Sequence, residues 1–202
     1  MLLLETPKAC VHPTMSSFNH GAVVSLKLTD FMQFRYVEFF PGPSLNVIIG
    51  PNGSGKSSVV NGIALALGAK TAVLGRAEHI VDFIRMGCDE AELEIEIFND
   101  QDDEDNFVIK RLIQRLEERH TLRAMGKHSK WWINGKSVKE KDVLQLAKDF
   151  NIQTDNLCQF LPQDKVHDFS KMSPKELLNK TVEAVGDQEI VADHKKSVIC
   201  CI

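Results

Sequence analysis

Residues 45–68 read LNVIIGPNGSGKSSVVNGIALALG, and this stretch decides the fold. Its first five residues form a short apolar run closed by glycine, which predicts a strand buried on both faces. The spacing of apolar side chains over residues 56–67 predicts a helix. A glycine-rich loop therefore lies between a predicted strand and a predicted helix, which is the context that a phosphate-binding loop requires.

The residues of this loop match the pattern G-x-x-x-x-G-K-[ST] at positions 50–57. Glycines allow the backbone to bend until successive N–H groups face phosphate oxygens, and the start of the helix adds a positive dipole. We expect Lys56 to reach the β- and γ-phosphates of a nucleotide and the Ser57 hydroxyl to bind Mg²⁺. The predicted nucleotide-binding residues of this stretch are Gly50, Pro51, Asn52, Gly53, Ser54, Gly55, Lys56, Ser57 and Ser58.

Length and composition limit the classes of protein that the chain can represent. It has 202 residues, of which 43% are hydrophobic, and a net charge of −4, so disorder along the whole chain is excluded. No apolar run is long enough to span a membrane or to form a signal peptide, so no membrane partner is predicted. The five cysteines are scattered without a C-x-x-C pair, which favours free thiols in a reducing compartment.

Period-2 alternation and turn signals predict the remaining elements. The fold class is α/β, with a mixed sheet that combines antiparallel strands and the parallel core strand at residues 45–49. Residues 1–21 lack periodicity and predict a disordered tail. The other predicted strands lie at residues 23–29, 36–40, 91–97, 107–116, 131–133 and 156–161, and the other main helices lie at residues 140–149 and from Pro174 onward, where Ser173 is the cap.

The sequence lacks two parts that nucleotide hydrolysis requires. No later apolar run ends in the acidic pair that would hold Mg²⁺. After Gly135 the only glycine is Gly186, so a double-glycine signature loop is excluded from the last third of the chain. The catalytic site is incomplete in this sequence.

Several segments resemble the ATPase head of the structural maintenance of chromosomes (SMC) family. They are LKLTDFMQF, the stretch at 45–68, GRAEHIVDFIR, IRMGCDEAELEIEIF, WWINGKSV and NLCQFLPQDKV. The resemblance covers residues 22–185 and implies a P-loop NTPase fold, namely the N-terminal lobe of a head of the ABC type. It also implies that signature and Walker B residues come from a C-terminal half beyond a long coiled coil. Residues 186–202 would then be the start of that coiled coil, truncated with an atypical apolar end.

The resemblance implies a function and partners as well. It points to the family branch that repairs DNA double-strand breaks by homologous recombination, with ATP and Mg²⁺ as cofactors, in the nucleus and on the chromosome. The implied partners are SMC protein six, non-SMC subunits and DNA. This chain alone is expected to be inactive as an ATPase, because hydrolysis needs the C-terminal half and a partner head.

Three further residues take roles from the same resemblance. Gln163, in PQDKV, aligns with the glutamine that touches Mg²⁺ and the attacking water, and Gln159 is its rival. Arg76, in GRAEHI, resembles an arginine placed near nucleotide or DNA.

Two rival functions remain open at this stage. A transporter ATPase subunit shares GPNGSGKS, but it predicts a signature loop and an Asp-Glu strand that this chain lacks. A non-functional or competing fragment is favoured by the apolar residues 198–202.

Two charged segments also have alternative interpretations. A basic zone around Trp131 and Trp132 suits a DNA backbone, but one tryptophan of an adjacent pair is expected to face the core. Its cationic residues are Arg123, Lys127, Lys130, Lys136, Lys139 and Lys141. The acidic segment at residues 100–105 lacks the spacing of a calcium loop and is interpreted as solvated.

Overall fold

The fold is known from a computed structural model, which describes residues 18–75, 79–101, 105–115 and 128–185. Most of the predicted tail, Arg76 and residues 186–202 lie outside the described residues. The chain already makes tertiary contacts before the first strand begins. Phe18 is buried, and the centre of its ring lies 6.0 Å from that of Phe98.

The centre of the fold is a six-stranded antiparallel sheet in the order β2-β1-β3-β4-β5-β6. Its strands are β1 (Val23–Phe31), β2 (Phe34–Phe39), β3 (Glu90–Ile97), β4 (Phe107–Gln114), β5 (Ser129–Ile133) and β6 (Lys136–Val138). The predicted alternation is confirmed, because Leu93, Ile95 and Ile97 of β3 are fully buried while the glutamates between them are only half-buried. One face of the sheet therefore builds the core.

The other face of the sheet carries charges in cross-strand pairs. Lys27 Nζ lies 3.0 Å from Glu94 Oε1, and Lys110 Nζ lies 2.7 Å from Glu92 Oε1. Such half-exposed pairs contribute about 0.2–1 kcal/mol each. They lie on a face that also carries the half-buried side chains of Val108, Leu112 and Trp132.

The helix that follows the glycine loop, α1 (Lys56–Ala66), packs against the core face of the sheet. Gly62 allows the close approach, because a Cβ at this position would lie 2.8 Å from the side chain of Leu28 on β1. Ala64, Leu65 and Ala66 are fully buried at the end of the helix. The predicted helix is therefore confirmed. Its contacts with the sheet hold the N-terminal end of α1 in place relative to the β1–β2 turn.

Shorter elements complete the fold. The turn at Asn134 and Gly135 has φ values of 48° and 76°, as a type I′ hairpin requires, so the predicted hairpin is confirmed. The remaining helices are α2 (Thr71–Leu74), α3 (Glu140–Asp149), α4 (Val166–Ser170) and α5 (Pro174–Val185), with 3₁₀ turns at Ile80–Phe83 and Gln163–Lys165. Among the described residues, no helix is both long and apolar enough to cross a membrane.

The predicted core strand at residues 45–49 is wrong for this structure. No strand is present there, and Leu45 and Ile49 are 89% and 88% exposed. A strand forms only when a neighbour pairs with its backbone groups, and none of the described strands lies beside this run. The apolar pattern predicts burial without supplying the partner that would bury it.

The predicted strand at residues 156–161 is also wrong, because its backbone groups are used locally. Asn156 Oδ1 accepts a hydrogen bond from the Cys158 N–H at 3.0 Å. The N–H groups of Gln159 and Phe160 both donate to the Asn156 carbonyl at 2.9 Å. These contacts form consecutive turns and leave little backbone for a sheet ladder.

Candidate nucleotide-binding site

The glycine loop leads into α1 with backbone angles that favour glycine. Gly53 has φ 80°, and Gly55, the N-cap of α1, has φ 97°. No side chain caps this helix end, and its first turn holds no acidic residue. The first N–H groups of α1 are therefore available to an anion, and the helix dipole favours one.

The Lys56 side chain folds back onto the first residues of the glycine loop. Its ammonium group donates to the carbonyl oxygens of Gly50 at 2.7 Å and Pro51 at 2.8 Å. A phosphate entering the loop offers the same ammonium a charged acceptor, which makes a stronger hydrogen bond than a carbonyl. The side chain is held at the loop without an ion-pair partner among the described residues.

A cavity of about 350 Å³ gathers most of the predicted nucleotide site. Gln163 reaches this cavity from the 3₁₀ turn before α4, although it lies far from the loop in sequence. The predicted residues that line it are Asn52, Gly53, Gly55, Lys56, Ser57, Ser58 and Gln163. Gly50 and Pro51 supply the carbonyls bound by Lys56, and Ser54 continues the turn by donating its N–H to Pro51 O at 3.3 Å.

The side chain of Gln159, the alternative candidate to Gln163, is engaged in hydrogen bonds that stabilise the local structure. Its Nε2 donates to the carbonyls of Asn151 at 3.0 Å and Ala184 at 2.8 Å. Its Oε1 accepts the Gln153 N–H at 2.8 Å. The side chain ties the 151–159 segment to the end of α5 and does not line the cavity.

Two cavity residues were missed by sequence reasoning, Met32 and Gln33 of the β1–β2 turn. Gln33 Oε1 accepts a hydrogen bond from the Ser58 hydroxyl at 2.9 Å. A Cβ on Gly55 would collide with Gln33 Nε2 and Phe34 Cζ. No sequence signal marks these residues, because the contact depends on how the hairpin packs over the start of α1.

The basic zone is divided by the fold. Trp131 is buried, with the Arg111 guanidinium 4.3 Å from its ring centre, so the expectation that one tryptophan faces the core is confirmed. Arg123 and Lys127 lie outside the described residues. The other four lysines are exposed along β5, β6 and the start of α3, namely Lys130, Lys136, Lys139 and Lys141.

The acidic segment is described only at its ends. Asp100 Oδ1 lies 2.6 Å from His20 Nδ1, which ties the start of the segment to the residues before β1. Residues 102–104 lie outside the described part. Within the ranges that the structure describes, no group of three or more His, Cys, Asp or Glu side chains is arranged to hold a metal ion.

Comparison with known proteins agrees with this geometry. A family model described as an AAA domain matches residues 25–198. Structural maintenance of chromosomes protein 5 of Arabidopsis thaliana is 37% identical over 181 residues, and the Schizosaccharomyces pombe protein of the same name is 36% identical over 187. The matches cover 90% and 93% of this chain. The chain belongs to the SMC family.

Solved SMC heads have the same fold. A chain from work on ATP-driven dimerization and DNA stimulated activation of SMC ATPases matches with a TM-score of 0.65 and 28% identity, over 80% of this chain and 98% of that chain. The Smc head domain with a coiled coil and joint from Pyrococcus yayanosii matches with a TM-score of 0.68 and 29% identity, over 87% of this chain and 34% of that one. The predicted fold class, a P-loop ATPase head lobe, is confirmed.

The match also defines how much of an SMC protein this chain represents. It spans 16% of the length of the Arabidopsis and fission-yeast relatives. An SmcHead bound to the C-winged helix domain of ScpA matches with 26% identity and a TM-score of 0.65 over 85% of this chain but only 54% of its own. The chain is thus an SMC5-like head fragment whose fold implies nucleotide binding, and nearly half of that solved head has no counterpart in it.

Proposed function

We propose that this chain binds MgATP as the N-terminal half of an SMC head. The observation that supports this most is the meeting of Lys56, Ser57 and Gln163 at one cavity beside the uncapped start of α1. A cationic side chain, a hydroxyl and free helix N–H groups are the donor set that a Mg²⁺-bound triphosphate needs. The residues present therefore fit the nucleotide and its metal.

Each side chain has a separate task in this proposal. Lys56 leaves the carbonyls of Gly50 and Pro51 for the β- and γ-phosphates, and Ser57 binds Mg²⁺. Gln163, which lines the same cavity, would contact a bound Mg²⁺ and would orient the attacking water. For Arg76, which follows α2 in the sequence, the proposed role is contact with nucleotide or DNA.

Hydrolysis requires more than this chain provides. The proposal assigns the signature and Walker B residues to a C-terminal half-head, and the opposing surface to a partner head. SMC protein six is the proposed heterodimer partner, and Arabidopsis SMC protein 6B is itself 31% identical to this chain over 150 residues. The proposed setting is the nuclear chromosome, where the complex with non-SMC subunits acts on DNA during recombinational repair.

Titration of the purified chain with a fluorescent ATP analogue tests the proposal. We expect saturable, Mg²⁺-dependent binding that Lys56→Ala weakens at least tenfold, because charge-assisted hydrogen bonds to phosphate are lost. Lys141→Ala, which removes an exposed lysine from α3, is the matched control and should bind as the unaltered chain does. Equal affinity for Lys56→Ala would contradict the proposed site.

A second arm adds the C-terminal half-head of the Arabidopsis protein 5 relative. Turnover that appears only in the mixture supports the split head. Turnover by this chain alone contradicts the assignment of the missing residues, and no complex with the half-head favours an inert fragment.

A further inference from the structure

Gln33 of the β1–β2 turn brings an amide donor into the nucleotide cavity. Its side chain is exposed and lines that cavity. Its Oε1 accepts a hydrogen bond from the Ser58 hydroxyl at 2.9 Å, whereas no group among the described residues accepts one from its Nε2. The NH₂ group is therefore available to a molecule that enters the cavity.

The Nε2 atom of Gln33 lies against the N-cap of α1. A Cβ on Gly55 would collide with this atom, so the amide group is in contact with the Gly55 backbone. The first N–H groups of α1 are uncapped by any side chain, and the helix dipole favours an anion in front of them. A phosphate group bound at this helix end would have the Gln33 NH₂ at its side.

The backbone of the β1–β2 turn holds Gln33 in this position. Met32 donates its N–H to the Phe83 carbonyl at 2.8 Å, and the buried rings of Phe31 and Phe83 are stacked with their centres 5.9 Å apart. Met32 has φ 50°, which is uncommon for a residue other than glycine and is maintained by these surroundings. Because the turn is fixed before a ligand binds, little conformational entropy is lost on binding.

The phosphate next to the sugar is the one that this donor suits. In the proposed function Lys56 binds the β- and γ-phosphates and Ser57 binds Mg²⁺, so neither side chain donates to the α-phosphate. We infer that Gln33 Nε2 donates a hydrogen bond to a non-bridging oxygen of the α-phosphate. This inference rests on the proposed function and adds a binding residue to the same site. The contact is common to ATP and ADP, because both carry this phosphate.

Ser58 then has a different task from the direct nucleotide contact that the sequence predicts. The side chain is buried, and its hydroxyl has one proton, which it donates to Gln33 Oε1. That hydrogen bond orients the Gln33 carboxamide and leaves the NH₂ as its free end. Ser58 is therefore a positioning residue, and Gln33 supplies the donor.

Phosphorothioate nucleotides test the contact with the α-phosphate. In the two diastereomers of α-thio ATP, sulfur replaces one or the other non-bridging α-oxygen, and sulfur is a weak hydrogen-bond acceptor. We expect the unaltered chain to bind one diastereomer about threefold more weakly than the other, as the loss of one hydrogen bond implies. Gln33→Leu has no donor and should bind the two diastereomers with nearly equal affinity.

Two further measurements on Gln33→Leu separate this contact from a general disturbance of the site. The affinities for ATP and ADP should both fall about threefold, because the lost contact is common to them. The ratio of the affinities for ATP and γ-thio ATP should be the same as in the unaltered chain, because the sulfur of this analogue is on a phosphate that Gln33 does not bind.

A second variant retains the contact between the turn and α1. Gln33→Glu keeps an oxygen that accepts the Ser58 hydroxyl, but a carboxylate replaces the donor and repels phosphate. We expect this variant to bind the two diastereomers equally and to bind ATP more weakly than Gln33→Leu does. Gln145→Leu, which lies on α3 and does not line the cavity, is the matched control and should retain the difference between the diastereomers.

The outcomes distinguish this inference from the proposed function. Equal binding of the two diastereomers by the unaltered chain overturns the inference, and so does a difference that persists in either folded Gln33 variant. In both cases the nucleotide site itself stands if Lys56→Ala still weakens ATP binding. Absence of ATP binding by the unaltered chain overturns the inference and the proposed function together.

Discussion

The guanidinium of Arg111 on β4 donates to the main-chain carbonyl of Leu65, in the last turn of α1, at 2.7 Å. Its other nitrogens donate to the Ser129 hydroxyl at 3.2 and 3.0 Å. Burial lowers the pKa of Arg111 to about 10, chiefly through desolvation, so the side chain remains cationic near neutral pH. A cation thus lies at the negative end of the helix whose positive end forms the phosphate loop.

Removal of this cation should destabilise the fold more than it weakens the nucleotide site. For Arg111→Met we expect a loss of about 2–3 kcal/mol in the free energy of unfolding, because a charged hydrogen bond to Leu65 and the contact with Trp131 are lost. Urea denaturation measures this loss. Nucleotide affinity, measured at a temperature where the variant is folded, should change less than threefold. An unchanged denaturation midpoint would show that these two contacts of Arg111 contribute nothing to the stability of the fold.

Gly55→Ala should abolish most nucleotide binding. A non-glycine residue at φ 97° costs about 1–2 kcal/mol, and the added methyl group also collides with Gln33 and Phe34. We expect a fall in affinity of at least tenfold in a titration with a fluorescent ATP analogue. The double variant Gly55→Ala with Gln33→Ala removes one of the two collisions and should recover only part of the loss, because the backbone strain remains. Full recovery would mean that φ at Gly55 is unimportant.

Period-2 alternation predicts the sheet well because one of its faces is packed. Leu93, Ile95 and Ile97 must point to α1, and a shift of one residue would bury the glutamates between them. The Asn134-Gly135 turn was predictable for a local reason, since these residues tolerate positive φ.

The failures have equally specific causes. The run at residues 45–49 has the composition of a buried strand, but composition does not reveal which chain segment pairs with it. At residues 156–161 the Asn156 side chain captures nearby N–H groups, and strand patterns take no account of such contacts. In the site, the loop is contiguous and therefore visible in sequence, whereas Gln33 meets Ser58 only after the hairpin has folded over α1.

Alanine substitutions at Gln163 and at Gln159 should have different effects, the first on turnover and the second on stability. Gln163→Ala removes a side chain from the nucleotide cavity, so we expect turnover of the reconstituted head to fall at least tenfold with little change in the thermal midpoint. Gln159→Ala removes three hydrogen bonds between the 151–159 segment and its surroundings and should cost about 1–2 kcal/mol of stability. Its nucleotide affinity should match that of the unaltered chain. The reverse pattern would assign the catalytic glutamine to position 159.

The start of α5 should respond to acid through a single carboxylate. Glu176 Oε2 accepts hydrogen bonds from the Ser173 N–H at 2.8 Å and the Ser173 hydroxyl at 2.7 Å. These contacts lower the pKa of Glu176 from its ordinary value of 4.5, and the N–H contributes most. A carboxyl group whose pKa is lower in the folded state stabilises that state above its unfolded pKa. The stabilisation is lost as pH falls through the folded pKa.

We therefore expect the first turn of α5 to open on acidification below about pH 4.5, in the range where the Glu176 carboxylate gains a proton. Amide hydrogen exchange at Ser173, followed by NMR as pH is lowered, measures the loss of its hydrogen bond. Glu176→Gln keeps an accepting oxygen but does not titrate, so its protection at Ser173 should be weaker than in the unaltered chain near neutral pH and nearly independent of pH. Equal pH dependence in both chains would show that another group controls this helix end.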